Sequence, residues 1–120
     1  MLKALESSGY RLALLCKKSA SDRVGLMSAL GLNKFFPWII QVEGNKEISH
    51  ICQCLKLMRL DSWEVAVVGD RVEEEICIGN QLSMMTIWVK QGKFGLVEPT
   101  TEKQKPTHTV HNLQAVFGLV

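Results

Sequence analysis

The stretch VAVVGDRVEEEICIGNQLSMMTIWV, residues 65–89, decides the fold. Its opening run, VAVV at 65–68, is continuous, apolar and rich in β-branched residues, the pattern of a strand buried on both faces. Gly69 lets the chain turn sharply. Asp70 stands where the strand gives way to a predicted helix over 72–82, and Glu73, Glu74 and Glu75 fill the first turn of that helix. A second apolar run of strand length follows at Met85–Val89. A carboxylate at the carboxyl end of a buried strand in an α/β sheet lies where such folds place their ligands. Asp70 therefore has two readings: a hard oxygen ligand for a divalent cation, or an N-cap for the helix. The three glutamates favour the helix dipole by about a few tenths of a kcal/mol each, which explains them without function.

Outward from this stretch the chain alternates. Residues 2–8 are a short helical segment stopped by Gly9. YRLALL at 10–15 is a strand ending at Cys16, Lys17 and Lys18. Ser19, Ser21 and Asp22 are N-cap candidates for a helix that carries Val24, Met27 and Leu30 and stops at Gly31. A loop with a bulky plug (Phe35, Phe36, Trp38) leads to a strand at 39–42. Lys46 opens the clearest helix, with Ile48, Ile51, Cys52, Leu55 and Met58 on one apolar stripe. Beyond Val89, residues 90–95 turn, 97–106 form a polar loop with two prolines, 107–110 suit a short strand and 111–117 a last helical piece. Alternating units of this length predict an α/β fold: parallel strands, right-handed crossovers and helices on both faces, a Rossmann-like three-layer sandwich. The carboxyl ends of the strands would then collect residues 16–18, 43–46, 70–75 and 90–93 on one rim.

The bulk numbers narrow the function classes. A chain of 120 residues makes one domain with a real core. Its composition, 47% hydrophobic and 22% charged, is that of a globular protein. A net charge of +2 with scattered basic residues argues for neither nucleic acid nor a membrane surface. No apolar run approaches the roughly 18 residues of a spanning helix, and MLKALESSGY has no signal-peptide pattern. A cytoplasmic protein with reduced thiols is the expectation. Cys52 and Cys54 with nearby His50 suggest a metal, but on a helix Cys52 points about 200° away from the other two, and no second pair follows at zinc spacing. The histidines His50, His108 and His111 have no spacing to a Ser or Cys that marks a nucleophilic triad. No glycine-rich phosphate loop is present.

The same residues resemble the haloacid-dehalogenase-like (HAD) hydrolases, mostly magnesium-dependent phosphatases of the phosphoaspartate type, over about residues 2–113. In that family a strand ends in Gly-Asp with a further acid four or five residues on, and a helix then leads to an apolar strand of the TIWV kind. Gly69-Asp70, Glu75 (or Glu74) and TIWV at 86–89 match. A lysine opens the preceding helix, the place of Lys46. A Ser or Thr ends the strand after GYRL, where this chain has Cys16. PTHTVHNL at 106–113 is similar to the family's closing strand and helix.

The resemblance implies Mg²⁺ as cofactor, with Asp70 and Glu75 as metal ligands. It implies that Lys46 and the Cys16 position hold the phosphoryl group of a phosphorylated small molecule. It also exposes a departure. The family's nucleophile is the first aspartate of an Asp-x-Asp closing the first, central strand, and the only aspartates here are Asp22, Asp61 and Asp70. Residues 1–120 are therefore expected to form a single HAD-like core domain that is N-terminally incomplete, lacks that central strand and has no cap domain. Three arrangements follow: the flanking strands pair directly, another chain donates the strand, or the sequence is a piece of a longer protein. Exposed sheet edges would favour a homodimer or a strand-donating partner. The function is a Mg²⁺-dependent phosphomonoester hydrolase by resemblance; the alternative is a catalytically inactive binding or scaffold relative.

Overall fold

The computed structural model describes residues 5, 7–17, 31, 33–91 and 97–119. These form two compact units, residues 1–58 and 59–120. Each unit has its own parallel sheet.

In the first unit, Leu5 and Ser7 are helical and Gly9 takes a φ of +87°, so that the Tyr10 amide donates back to the Leu5 carbonyl at 3.1 Å. Strand β1 is Ala13–Lys17, starting three residues later than the apolar run suggests and reaching past Cys16. Its length is set by its partner. Strand β2, Trp38–Val42, pairs with it in parallel from Ala13 opposite Trp38 to Lys17 opposite Val42. A 3₁₀ turn at Asn33–Phe35 leads into β2. Gly44 (φ +74°) makes the turn out of it. The helix expected between Ser19 and Gly31, and Lys18, lie outside the described residues.

Helix α1 is Ile48–Met58. It begins two residues after Lys46, because the chain caps itself locally: the Glu47 amide donates to His50 Nδ1 at 2.9 Å. The buried stripe is also rotated from the expected one. Ile51 and Met58 are buried and Cys54 and Leu55 half-buried, while Ile48 and Cys52 face outward. Spacing of three, four and seven from Ile51 selects Cys54 instead of Cys52. Burial pushes the Cys54 thiol pKa up, against a smaller lowering by a backbone hydrogen bond.

In the second unit, a 3₁₀ turn at Ser62–Glu64 precedes β3, Ala66–Gly69. Strand β3 pairs in parallel with β4, Met85–Val89, from Ala66 opposite Met85 to Gly69 opposite Trp88. Strand β4 pairs in turn with β5, His108–Val110. β4 is central and buried from Thr86 to Val89. β3 is not buried on both faces as its sequence suggests: Val68 is 42% exposed.

Between β3 and β4 the chain forms a wide π-turn, Val72–Ile76, that runs into helix α2, Cys77–Gln81. Gly79 is where α2 meets the sheet: a Cβ there would lie 2.6 Å from Thr86 Cγ2 and 3.2 Å from Val67 Cγ2. Val72, Ile76 and Trp88 form the core cluster of the unit. A 3₁₀ turn at Glu102–Gln104 and a last helix α3, Gln114–Phe117, complete the unit.

One polar network ties it together. The fully buried Thr86 donates from Oγ1 to Asn80 Oδ1 (2.8 Å) and accepts from the Thr107 amide (2.9 Å). Asn80 Nδ2 donates to the carbonyls of Lys103 (2.7 Å) and Lys105 (2.8 Å). Among the described residues no helix is long and apolar enough to cross a membrane.

Candidate functional site

The site of the second unit is built at the carboxyl end of β3. The last residue of the strand, Gly69, is opposite Trp88 in the register. Asp70 follows in a bend and is half-buried. It does not cap the helix: the N-cap position belongs to Arg71 (φ −113°, ψ 110°), with no side-chain cap bond. Instead the Asp70 peptide is held from the sheet. Trp88, only 2% exposed, donates its indole Nε1–H to the Asp70 carbonyl at 3.0 Å. On the far side of the turn the Arg71 carbonyl accepts from the amides of Glu74 (3.3 Å) and Ile76 (3.5 Å). The second of these is the i→i+5 bond of a π-turn, a form often found at functional sites.

The acidic run divides into two roles. Arg71 forks onto two of its members: Nε and Nη2 reach Glu73 Oε1 at 3.0 and 2.9 Å, and Nη1 reaches Glu74 Oε2 at 2.8 Å. Burial works to lower the Arg71 pKa, but the Glu73 hydrogen bond and the charges of Glu74, Glu73 and Glu75 outweigh it and raise it. The guanidinium therefore stays a fixed positive charge. Glu75, 5% exposed, also folds back over the strand end. A Cβ on Gly69 would lie 2.2 Å from Glu75 Cγ and 2.4 Å from Glu75 Oε1, so the glycine is the space the Glu75 side chain occupies. Of the two alternatives the sequence left for the second acid, Glu75 is the one set against the strand end that carries Asp70.

The two other candidates belong to the first unit. Cys16 is buried inside β1, one residue before its end and opposite Gln41. Lys46 is half-buried and follows the turn that leaves the carboxyl end of β2. Because β1 and β2 are parallel, both residues belong to the carboxyl end of that sheet. Sequence reasoning did not single out Arg71 or Trp88. The signal for Arg71 was present, a lone basic residue among four acids and three positions before Glu74; the signal for Trp88 was hidden, since a Trp in an apolar run reads as core.

Asp70 and Glu75 supply carboxylate oxygens, the donor type that magnesium takes. Glu75 is seated by a glycine cradle that any Cβ would fill. Among the described residues no group of three His, Cys, Asp or Glu side chains comes together as a metal cluster. The chain thus carries donors that fit part of a magnesium coordination sphere. Among the described residues Cys52 and Cys54 belong to no such group, and all four cysteines are unbridged.

Comparison with known proteins places the family and the fold. A family model described as HAD-hydrolase-like matches residues 47–116. A curated relative, the glyceraldehyde 3-phosphate phosphatase of Methanocaldococcus jannaschii, is 26% identical over 123 aligned positions that take in 99% of this chain and 53% of the relative. Among solved structures, a predicted phosphoglycolate phosphatase from Haemophilus somnus superposes with a TM-score of 0.79 at 17% identity, covering 98% of this chain and 53% of that one. The HAD-hydrolase YfnB from Bacillus subtilis, solved bound to magnesium, gives a TM-score of 0.79 at 14% identity, covering 98% and 52%. The chain spans about half the length of the curated relative it matches.

Proposed function

Because the chain belongs to the HAD-hydrolase-like family, we propose that it is the metal- and phosphate-holding part of a magnesium-dependent phosphomonoesterase. Asp70 and Glu75 would hold the cation. The observation that supports this reading is the buried Glu75 side chain lying against Gly69, the residue before Asp70. Magnesium, when bound, offsets negative charge on the phosphoryl oxygens and so favours attack on phosphorus. Lys46 would add a second positive charge toward the phosphoryl group. At the Cys16 position a thiol is a weak donor, so a phosphate oxygen would gain less there than from a hydroxyl.

The nucleophile is not in this sequence as an Asp-x-Asp, since its aspartates are Asp22, Asp61 and Asp70. An aspartate from beyond these residues or from a partner chain would complete the site. The substrate class is a phosphorylated small molecule, in keeping with the phosphate ester named for the curated relative. The lack of an Asp-x-Asp also favours a second reading, a non-catalytic relative that keeps the fold for binding.

The test is a magnesium-dependent assay of the 120-residue chain with an aryl phosphate. The expected result is no hydrolysis, with magnesium binding that Asp70→Asn abolishes. Turnover at ordinary enzyme rates that disappears in Asp70→Asn would show that these residues complete a site without the missing motif and would sink the incomplete-site reading. No magnesium binding by the parent chain would overturn the magnesium reading and leave the non-catalytic one.

A further inference from the structure

We propose that Trp88 is a positioning residue for Asp70: its indole N–H fixes the peptide that orients the metal-ligating carboxylate. The inference rests on the magnesium reading above. Asp70 lies in the one short segment between the sheet and the π-turn, where neither ladder nor helix holds the backbone. The strand's last registered pair is Gly69 with Trp88. The turn's first carbonyl to accept is that of Arg71. The peptide between them is anchored by the Trp88 bond to the Asp70 carbonyl, at 3.0 Å.

A tryptophan suits this task for a physical reason. Its ring fills the core cluster with Val72 and Ile76, and that packing locks the plane in which Nε1–H points. A phenylalanine or leucine would pack and donate nothing. Lys90 sets its ammonium 5.5 Å from the centre of the Trp88 ring and is itself held by Glu98 at 2.5 Å. A cation over an indole face is attracted by the ring quadrupole and so adds to the hold on the ring. The chain Glu98–Lys90–Trp88–Asp70 therefore converts the end of β4 into a support for a ligand carried by β3. Groups that orient metal ligands from behind typically alter metal affinity by about 10–100-fold when removed.

The experiment is a magnesium titration of the 120-residue chain, followed by ¹H–¹⁵N spectra that resolve the indole signals of Trp38, Trp63 and Trp88 and the backbone amides of Asp70 and Arg71. On the proposal, the Trp88 indole signal and the Asp70 amide move together with one dissociation constant, and Trp38 and Trp63 stay still. Trp88→Phe raises that constant by about tenfold, read at the Asp70 amide, and Trp63→Phe leaves it unchanged. Should Trp88→Phe unfold, replacing Trp88 by the near-isosteric benzothienylalanine removes the N–H and keeps the ring. An unchanged constant in a folded, N–H-deficient protein overturns the positioning role and leaves the magnesium reading standing. A still Asp70 amide at every magnesium concentration overturns both. A lowered melting temperature with an unchanged constant assigns Trp88 to the core alone and overturns the proposal.

Discussion

Gly69→Ala is the sharpest test of how the acidic turn is built. On general grounds the substitution should stabilise: Gly69 is not among the glycines with positive φ, and removing a glycine's freedom in the unfolded chain contributes about 0.4–1 kcal/mol at a compatible position. The structure predicts the opposite sign. The new Cβ would stand 2.2 Å from Glu75 Cγ, 2.7 Å from its Cδ and 2.4 Å from its Oε1. The Glu75 side chain is buried, so it cannot swing aside without moving its neighbours. Overpacking of this kind costs about 1–3 kcal/mol, and a 2.2 Å approach belongs to the upper part of that range, leaving a net loss of up to about 2.6 kcal/mol after the unfolded-state gain. Urea unfolding followed by far-ultraviolet dichroism measures it. The mechanism is separated from a general intolerance by a double-mutant cycle. In Glu75→Ala the three clashing atoms are gone, so adding Gly69→Ala should then be neutral or stabilising by about 0.4–1 kcal/mol. Additive effects, or a Gly69→Ala protein as stable as the parent, would refute the claim that Gly69 exists to seat Glu75.

Two further outcomes are expected. Arg71→Ala removes the ion pairs to Glu73 and to the buried Glu74 and should lower stability by about 1–2 kcal/mol. The raised Arg71 pKa contributes stability that is fully present below the ordinary arginine value and is lost only as pH rises through the higher folded value, so from pH 6 to pH 9 the arginine charge adds no pH dependence of its own, which unfolding of parent and variant at the two pH values checks. Asn80→Ala severs the bonds to the Lys103 and Lys105 carbonyls and to Thr86, and should cost about 1–3 kcal/mol. Hydrogen exchange of the amides at 101–107 should accelerate in that variant, while those of α1, in the other unit, keep their rates.

The sequence announced element types well and boundaries poorly, for identifiable reasons. β4 was legible to the residue: Met85–Val89 lies between a turn at Leu82 and Ser83 and the polar Lys90. β1 was displaced, because YRLALLCK offers several equally apolar windows and only pairing with β2 chooses among them. α1 was correct in kind but its stripe turned by one position, since Cys52 and Cys54 are equally plausible small apolar residues and the sheet beneath decides which is covered. β3 was read as fully buried from VAVV, yet Val68 is 42% exposed. Composition along a strand carries no information about how many neighbours the strand will have.

The acidic turn shows where sequence reasoning stops and why. A run of three glutamates at a helix start satisfies the helix dipole whichever of them does anything else, so dipole and function predict the same letters. What separates them is a lone arginine and a lone glycine. Arg71 takes up Glu73 and Glu74 through its guanidinium fork, and Gly69 gives Glu75 a place to fold back. Both Glu74 and Glu75 lie within the π-turn and are buried. Asp70 is then distinguished by what it does not do. It stands one residue outside the cap position, it is tied to the sheet through its own carbonyl, and its carboxylate is not spent on the helix. The backbone of Asp70 is held by the hydrogen bond from Trp88, a contact that no pattern of residues could display.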